Sequence, residues 1–212
     1  MTLSPDRVLP SHVLLEACEN YQKQSYRNRC YILAGDGPQM LQVPVVHGTE
    51  MTLSSASLRD PVRANAPERV ISSILIDYST PWVVRTQRAL DTAYETAAYY
   101  EYYRDELFAL LDARPQKLWE LNLNTIRFLI NNIGIACELE PTREFTVPDT
   151  VPDDYRFSIH PKRPCDVLAS LGLDKPYYQV FRDRMGGFTP RLSALDLLFN
   201  EGPDSVIWVK RQ

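Results

Sequence analysis

CYILAGDGPQMLQVPVV, residues 30–46, sets two apolar segments on either side of Gly35-Asp36-Gly37. Gly and Asp tolerate the left-handed backbone that a tight reversal needs, so the stretch predicts a β-hairpin. Upstream, HVLLEACE (12–19) is a short apolar run suited to a buried strand, and downstream RVISSILID (69–77) returns to strand character. Between them HGTEMTLSSASLRDPVRANAP (47–67) is small, polar and turn-forming with no sustained period, which predicts a long loop.

The pattern changes at Pro81. PWVVRTQRALDTAYETAAYYEYYRDELFALLDA (81–113) places Trp82, Ala89, Ala93 and Ala97 at three- and four-residue steps, interrupted by Arg85, and Thr80 with Pro81 suits a helix start. RPQKLWELNLNTIRFLINNIGI (114–135) predicts a second helix stopped by Asn131, Asn132 and Gly134. Residues 140–164 hold five prolines and predict irregular, extended chain. YYQVF (177–181) suggests a strand or strand-like edge, and a last helix lies within 186–203, with either Thr189 and Pro190 or Ser193 and Asp196 able to cap it and Gly202-Pro203 to close it. The predicted class is α+β: a β-rich N-terminal part with a hairpin, a helical middle and a mixed C-terminal part, one domain over 1–212.

Composition bounds the function. A chain of 212 residues with 44% hydrophobic and 24% charged side chains buries a real core, and a net charge of −4 argues against a general nucleic-acid binder. No secretory leader and no run of about 18 apolar residues is evident, so the expected location is the cytoplasm, with no transmembrane segment. Cys18, Cys30, Cys137 and Cys165, like His12, His47 and His160, are scattered, and neither CxxC nor HExxH spacing occurs, so no metal site is expected. GxSxG, P-loop and GxGxxG patterns are missing, no motif specifies a cofactor, and Cys30 or Cys165 would be a nucleophile only with a histidine near it in space.

Against this acidic background YQKQSYRNRC (21–30) carries three cations and no acid. If 23–29 were extended, Lys23, Ser25, Arg27 and Arg29 would share one face and Gln24, Tyr26, Asn28 and Cys30 the other, with same-face cations roughly 7 Å apart. Such a row can grip a phosphate or carboxylate, or merely protect a solvated strand edge. Tyr99, Tyr100, Tyr102 and Tyr103 cannot all face one way on a helix, so they either stack on a sugar or line the rim of the core. The proline-bounded DDYRFSIHPKRP (153–164) gathers Asp153, Asp154, Arg156, His160, Lys162 and Arg163, a setting for an acid/base pair, with His160 and Asp154 as candidate proton carriers. Asp196 and Asn200, four apart on an apolar helix, need partners if buried, and the basic segment is one possibility.

YQKQSYRNRCYI, LQVPV, AYYEYY, YRFSIHPK, YYQVF, GF and LSALDLLFNEGP, in this order over about 13–207, resemble the bacterial WbqC-like family. The resemblance implies an association with O-antigen and other surface-polysaccharide gene sets, hence a transferase-type enzyme acting on a sugar or nucleotide-linked sugar, or a non-catalytic binding or assembly protein working with polysaccharide-biosynthesis enzymes. The matching positions are Lys23, Gln24, Tyr26, Arg27, Asn28, Arg29, Arg156, Pro161, Lys162, Tyr178, Gln179, Asp196 and Asn200. They make a candidate site for a small anionic or sugar-containing ligand. Two departures stand out. The family commonly has a further LP…Y…P segment ahead of the first strand and an HGNW…H stretch where this chain reads STPWVVRTQR (79–88), which keeps Trp82 but has no histidine.

Overall fold

The computed structural model describes residues 11–46, 70–148, 150, 153–161, 165, 167–172 and 174–209. The expected loop at 47–67 and the candidate Lys162 lie outside them. The class is α+β, as the sequence predicts. Strand β1 (His12–Leu15) pairs in parallel with β4 (Glu138–Pro141), while β2 (Arg29–Ala34) and β3 (Gly37–Gln42) form the hairpin, Ala34 opposite Gly37. Gly37 has φ +128°, a backbone open to glycine, which is why the reversal sits where the Gly-Asp-Gly signal put it.

Helices α1 (Trp82–Tyr94), α2 (Tyr100–Asp112) and α3 (Leu118–Ile133) form the middle, and α4 (Val167–Ser170), α5 (Ala194–Glu201) and α6 (Ser205–Val209) follow. Gly134 ends α3 in the left-handed conformation at φ +79°, and the Ser193 side chain accepts the Leu195 N–H at the start of α5. One core cluster joins Ile32 of β2 to Leu90 and Tyr94 of α1, Tyr100 and Leu107 of α2, Phe128 of α3, and Leu198 and Phe199 of α5. A second packs Tyr21, Ile71, Ile74, Ile76, Trp82, Leu118 and Leu121. Each fully buried Leu or Phe contributes about 1.5–3 kcal/mol, so α5, with Leu198 and Phe199 both at 0% exposure, is an anchor of the first cluster.

Four local expectations are corrected. The single helix over 81–113 breaks at 95–99, because the Tyr99 N–H turns to the Phe199 carbonyl at 3.0 Å and satisfies an end group of α5. The strand over 69–77 is replaced by a 3-10 turn at Ile71–Ser73, where the Ser73 hydroxyl and N–H both donate to the Val70 carbonyl, and only isolated bridges at Val70, Leu75 and Ile76 remain. YYQVF forms no strand: Tyr178 N–H donates to the Glu201 side chain, the Gln179 carbonyl accepts from Arg182 N–H in a local turn, and the Gln179 side chain exchanges two bonds with the Thr189 backbone. The fourth concerns the basic segment itself.

No described helix is long and apolar enough to cross a membrane. The tyrosines of 98–103 divide between core and rim: Tyr100 is 2% exposed and donates to Asp91 at 2.8 Å, whereas Tyr102 points out at 79%.

Candidate functional site

Residues 23–28 are turns, not an extended strand, so their side chains do not alternate. The reason is visible in the buried members. Ser25 is 1% exposed, donates to the Gln22 carbonyl at 2.6 Å, and also accepts the Arg27 N–H. Asn28, 5% exposed, donates its amide to Val43 O at 2.9 Å, and Gln24 takes φ +58° to close the turn. These local bonds compete with a strand ladder and win. Lys23, Gln24 and Tyr26 are left exposed, while Arg27 turns inward.

Arg27 meets Glu19 in a two-pronged ion pair, Nε to Oε1 at 2.6 Å and Nη2 to Oε2 at 2.7 Å, with the side chains only 16% and 10% exposed. Burial lifts the Glu19 carboxyl above its ordinary range, and the pull of Arg27 counters it only in part. Nearby, Arg156 donates to Asp154, to Glu16 at 2.9 Å and to the Thr146 carbonyl at 2.8 Å. The hydrogen-bonded Asp154 carboxylate holds the Arg156 guanidinium more firmly protonated than usual. Glu16 also accepts from Cys18 N–H, Thr142 and Thr146 N–H. The charges of Arg156 and Glu16 both act on Glu19, so the basic segment and the 153–160 loop do converge, on two glutamates that follow β1.

Asp196 and Asn200 belong to a different network. Asp196, 1% exposed, accepts from Tyr94 Oη and Tyr177 Oη at 2.7 Å each and from Gln179 Nε2 at 3.0 Å, with no cation among these partners. Burial raises its carboxyl above the usual range, against the lowering effect of the three donors. Asn200 Nδ2 donates to the Asp196 carbonyl at 2.7 Å, and its Oδ1 is buried without a partner. The expected meeting of Asp196 with the basic segment is therefore replaced by tyrosines, and what ties this network to β2 is the Leu33 N–H, which donates to Tyr94 Oη at 3.3 Å. Tyr178 is 57% exposed and, with Gln179, Val180, Arg182 and Asp183, lines a cavity of about 270 Å³.

Arg29 behaves unlike Arg27. It opens β2, its Nε is sealed from solvent without an acceptor, and its Nη1 lies 3.8 Å from Met40 Sδ. No carboxylate pairs with it among the described residues. A buried guanidinium donor left unmade is costly, and an incoming oxyanion would remove that cost. Lys23 is exposed close by in the chain, and His160 is half-buried at the end of the 153–160 loop. Burial pushes the Cys30 thiol up to about 11, and Ser193 touches it, so at neutral pH Cys30 is a protonated thiol rather than a nucleophile.

Two groups escaped the sequence reading. Glu16 and Glu19 lie within the run 12–19 whose apolar pattern predicts a strand, although acids in an apolar run call for counter-charges. Arg191 was passed over in GGFTPR; it sits at φ +65° just before α5. Among the described residues no group of three or more His, Cys, Asp or Glu could hold a metal ion.

The family model described as the WbqC-like protein family matches residues 11–159. An uncharacterized protein of Mycobacterium tuberculosis is 26% identical over 205 residues, 87% of this chain and 81% of its own. No solved structure matches. The chain belongs to the WbqC-like family.

Proposed function

We propose that the chain is a cytoplasmic transferase-type enzyme that modifies a sugar or nucleotide-linked sugar for surface-polysaccharide, such as O-antigen, assembly. The observation that carries the reading is Arg29, a guanidinium with a sealed, acceptor-less Nε in a segment whose Lys23 and Tyr26 are exposed. Such a cation suits the phosphate or carboxylate of an anionic sugar derivative. In this reading Lys23, Gln24, Tyr26 and Arg29 touch the ligand, with Lys162 adding charge and Tyr178 an aromatic face. Arg27, Asn28, Gln179, Asp196 and Asn200 hold the frame around them. His160 and Asp154 move the proton, on a loop that Arg156 ties to Glu16.

The test is a binding screen of nucleotide sugars by calorimetry, with turnover followed by mass spectrometry. Arg29→Ala removes a charge-assisted contact worth roughly 1.5–3 kcal/mol and should weaken any hit by about tenfold or more. No binding by any nucleotide sugar sinks the reading. A non-catalytic binding or assembly role is favoured by one observation: Arg156 occupies both oxygens of Asp154, a carboxylate the chemistry would need. Tight binding without turnover would select that role.

A further inference from the structure

Segment 191–193 lies against the start of β2. Ser193 N–H donates to the Tyr31 carbonyl at 2.7 Å, and Ser193 also touches the Cys30 thiol. Tyr31 is two residues from Arg29, so both side chains leave the same face of β2, and Met40, paired with Tyr31, shares that face at 42% exposure. Arg191 is two residues before Ser193. It is exposed and has no ion pair among the described residues. Burial lifts the Tyr26 phenol above its ordinary range, and the positive charges of Arg191 and Arg29 both work against that rise. Tyr26 itself is 39% exposed. Thus two arginines from distant parts of the chain, neither one neutralised by a carboxylate among the described residues, lie within electrostatic reach of one accessible phenol.

We propose that Arg29 and Arg191 are the two arms of a phosphate clamp, closing on the oxyanion of a phosphorylated small molecule whose remainder lies against the ring of Tyr26. This rests on the reading of Arg29 given above and changes its composition: the second arm is Arg191 from the approach to α5, and Arg27, committed to Glu19, is not an arm. Two separated guanidinium groups hold a phosphate from two sides, which a single point charge does not. The left-handed backbone of Arg191 fits the same account. A non-glycine residue there is strained, a cost of the kind that gathers at ligand clamps.

The strain also supplies a clean test. Arg191→Gly removes the cation at a position whose φ glycine adopts freely, so the melting temperature should hold or rise. The probe is sodium pyrophosphate, titrated calorimetrically into the full chain, with UDP as a second probe. Wild type should bind pyrophosphate, Arg191→Gly and Arg29→Gln should each weaken it about tenfold or more, and Arg127→Gln, an exposed cation on α3, should leave it unchanged. Arg29→Lys, which keeps charge but loses the fork, should recover only part of the affinity. Failure of wild type to bind either probe at millimolar concentration, undiminished affinity in Arg191→Gly, or an equal loss in Arg127→Gln overturns the clamp. A nucleotide sugar that binds or turns over equally well in wild type and Arg191→Gly would leave the sugar-transferase reading standing and remove the clamp. Pyrophosphate binding that needs both arginines, with no nucleotide sugar bound, would do the reverse.

Discussion

Whether Arg27 is frame or ligand arm is decided by a double-mutant cycle across its pair with Glu19. The two side chains are 16% and 10% exposed and joined by bonds of 2.6 and 2.7 Å, so neither charge can retreat to water when its partner goes. Glu19→Leu leaves a buried guanidinium and Arg27→Met a buried carboxylate; each should cost about 3–5 kcal/mol. Arg27 O also accepts from Asn122 at 2.7 Å, and Glu19 O accepts from Ile71 N–H, so these backbone contacts stay in every variant. Replacing both side chains with apolar groups of similar volume removes two desolvation costs together, so the double variant should lie within about 1–2 kcal/mol of wild type. With a urea slope of about 2–3 kcal/mol/M, each single variant shifts the midpoint down by roughly 1–2.5 M and the double by at most about 1 M. Urea unfolding followed by tryptophan fluorescence reads all four corners. Additive losses, or single losses below about 1 kcal/mol, would mean that the pair is solvated and that Arg27 is available to a ligand after all.

Asp196 gives a pH signature. Its carboxyl is raised in the fold, so its contribution is full below the unfolded value of about 3.9 and is lost as pH rises through the folded value. Melting temperatures from pH 4 to 7.5 should therefore show Asp196→Asn gaining on wild type as pH rises, and a constant or shrinking difference would refute this. Gly202 has φ +54°, and a Cβ there would stand 2.4 Å from the Tyr99 ring, so Gly202→Ala should lose about 2–5 kcal/mol in thermal unfolding. Gly134, at φ +79° with open space around it, should lose only about 1–2 kcal/mol on the same change.

What the sequence shows and what it hides follow the range of the forces. The hairpin, the stop of α3 at Gly134 and the Ser193 cap depend on residues within a few positions of one another, and all three are legible. The break between α1 and α2 is not, since it is made by Phe199, a hundred residues on, whose carbonyl draws in Tyr99. The apolar pattern of 71–76 correctly marks buried residues, Ile71, Ile74 and Ile76, yet Ser73 between them closes a local turn instead of a ladder. Hydrophobicity reports burial; backbone bonding decides the element.

The same division runs through the site. Composition singles out 21–30 as cationic, but charge alone does not say which cations the fold consumes. Arg27 is neutralised by Glu19 eight residues away, and Arg156 by Glu16 across 140 residues of chain as well as by its neighbour Asp154. Arg29, two positions from Arg27, reaches the Met40 thioether and no carboxylate among the described residues, and leaves its Nε unsatisfied. The turn through Ser25 and Gln24 separates them: had 23–29 been a strand, Arg27 and Arg29 would share a face and a fate. Selecting the residue left over after the fold's own charges are matched therefore takes the structure: it leaves Arg29 as the unmatched cation of the segment, on a strand that one backbone bond, Ser193 N–H to the Tyr31 carbonyl, joins to the stretch carrying Arg191.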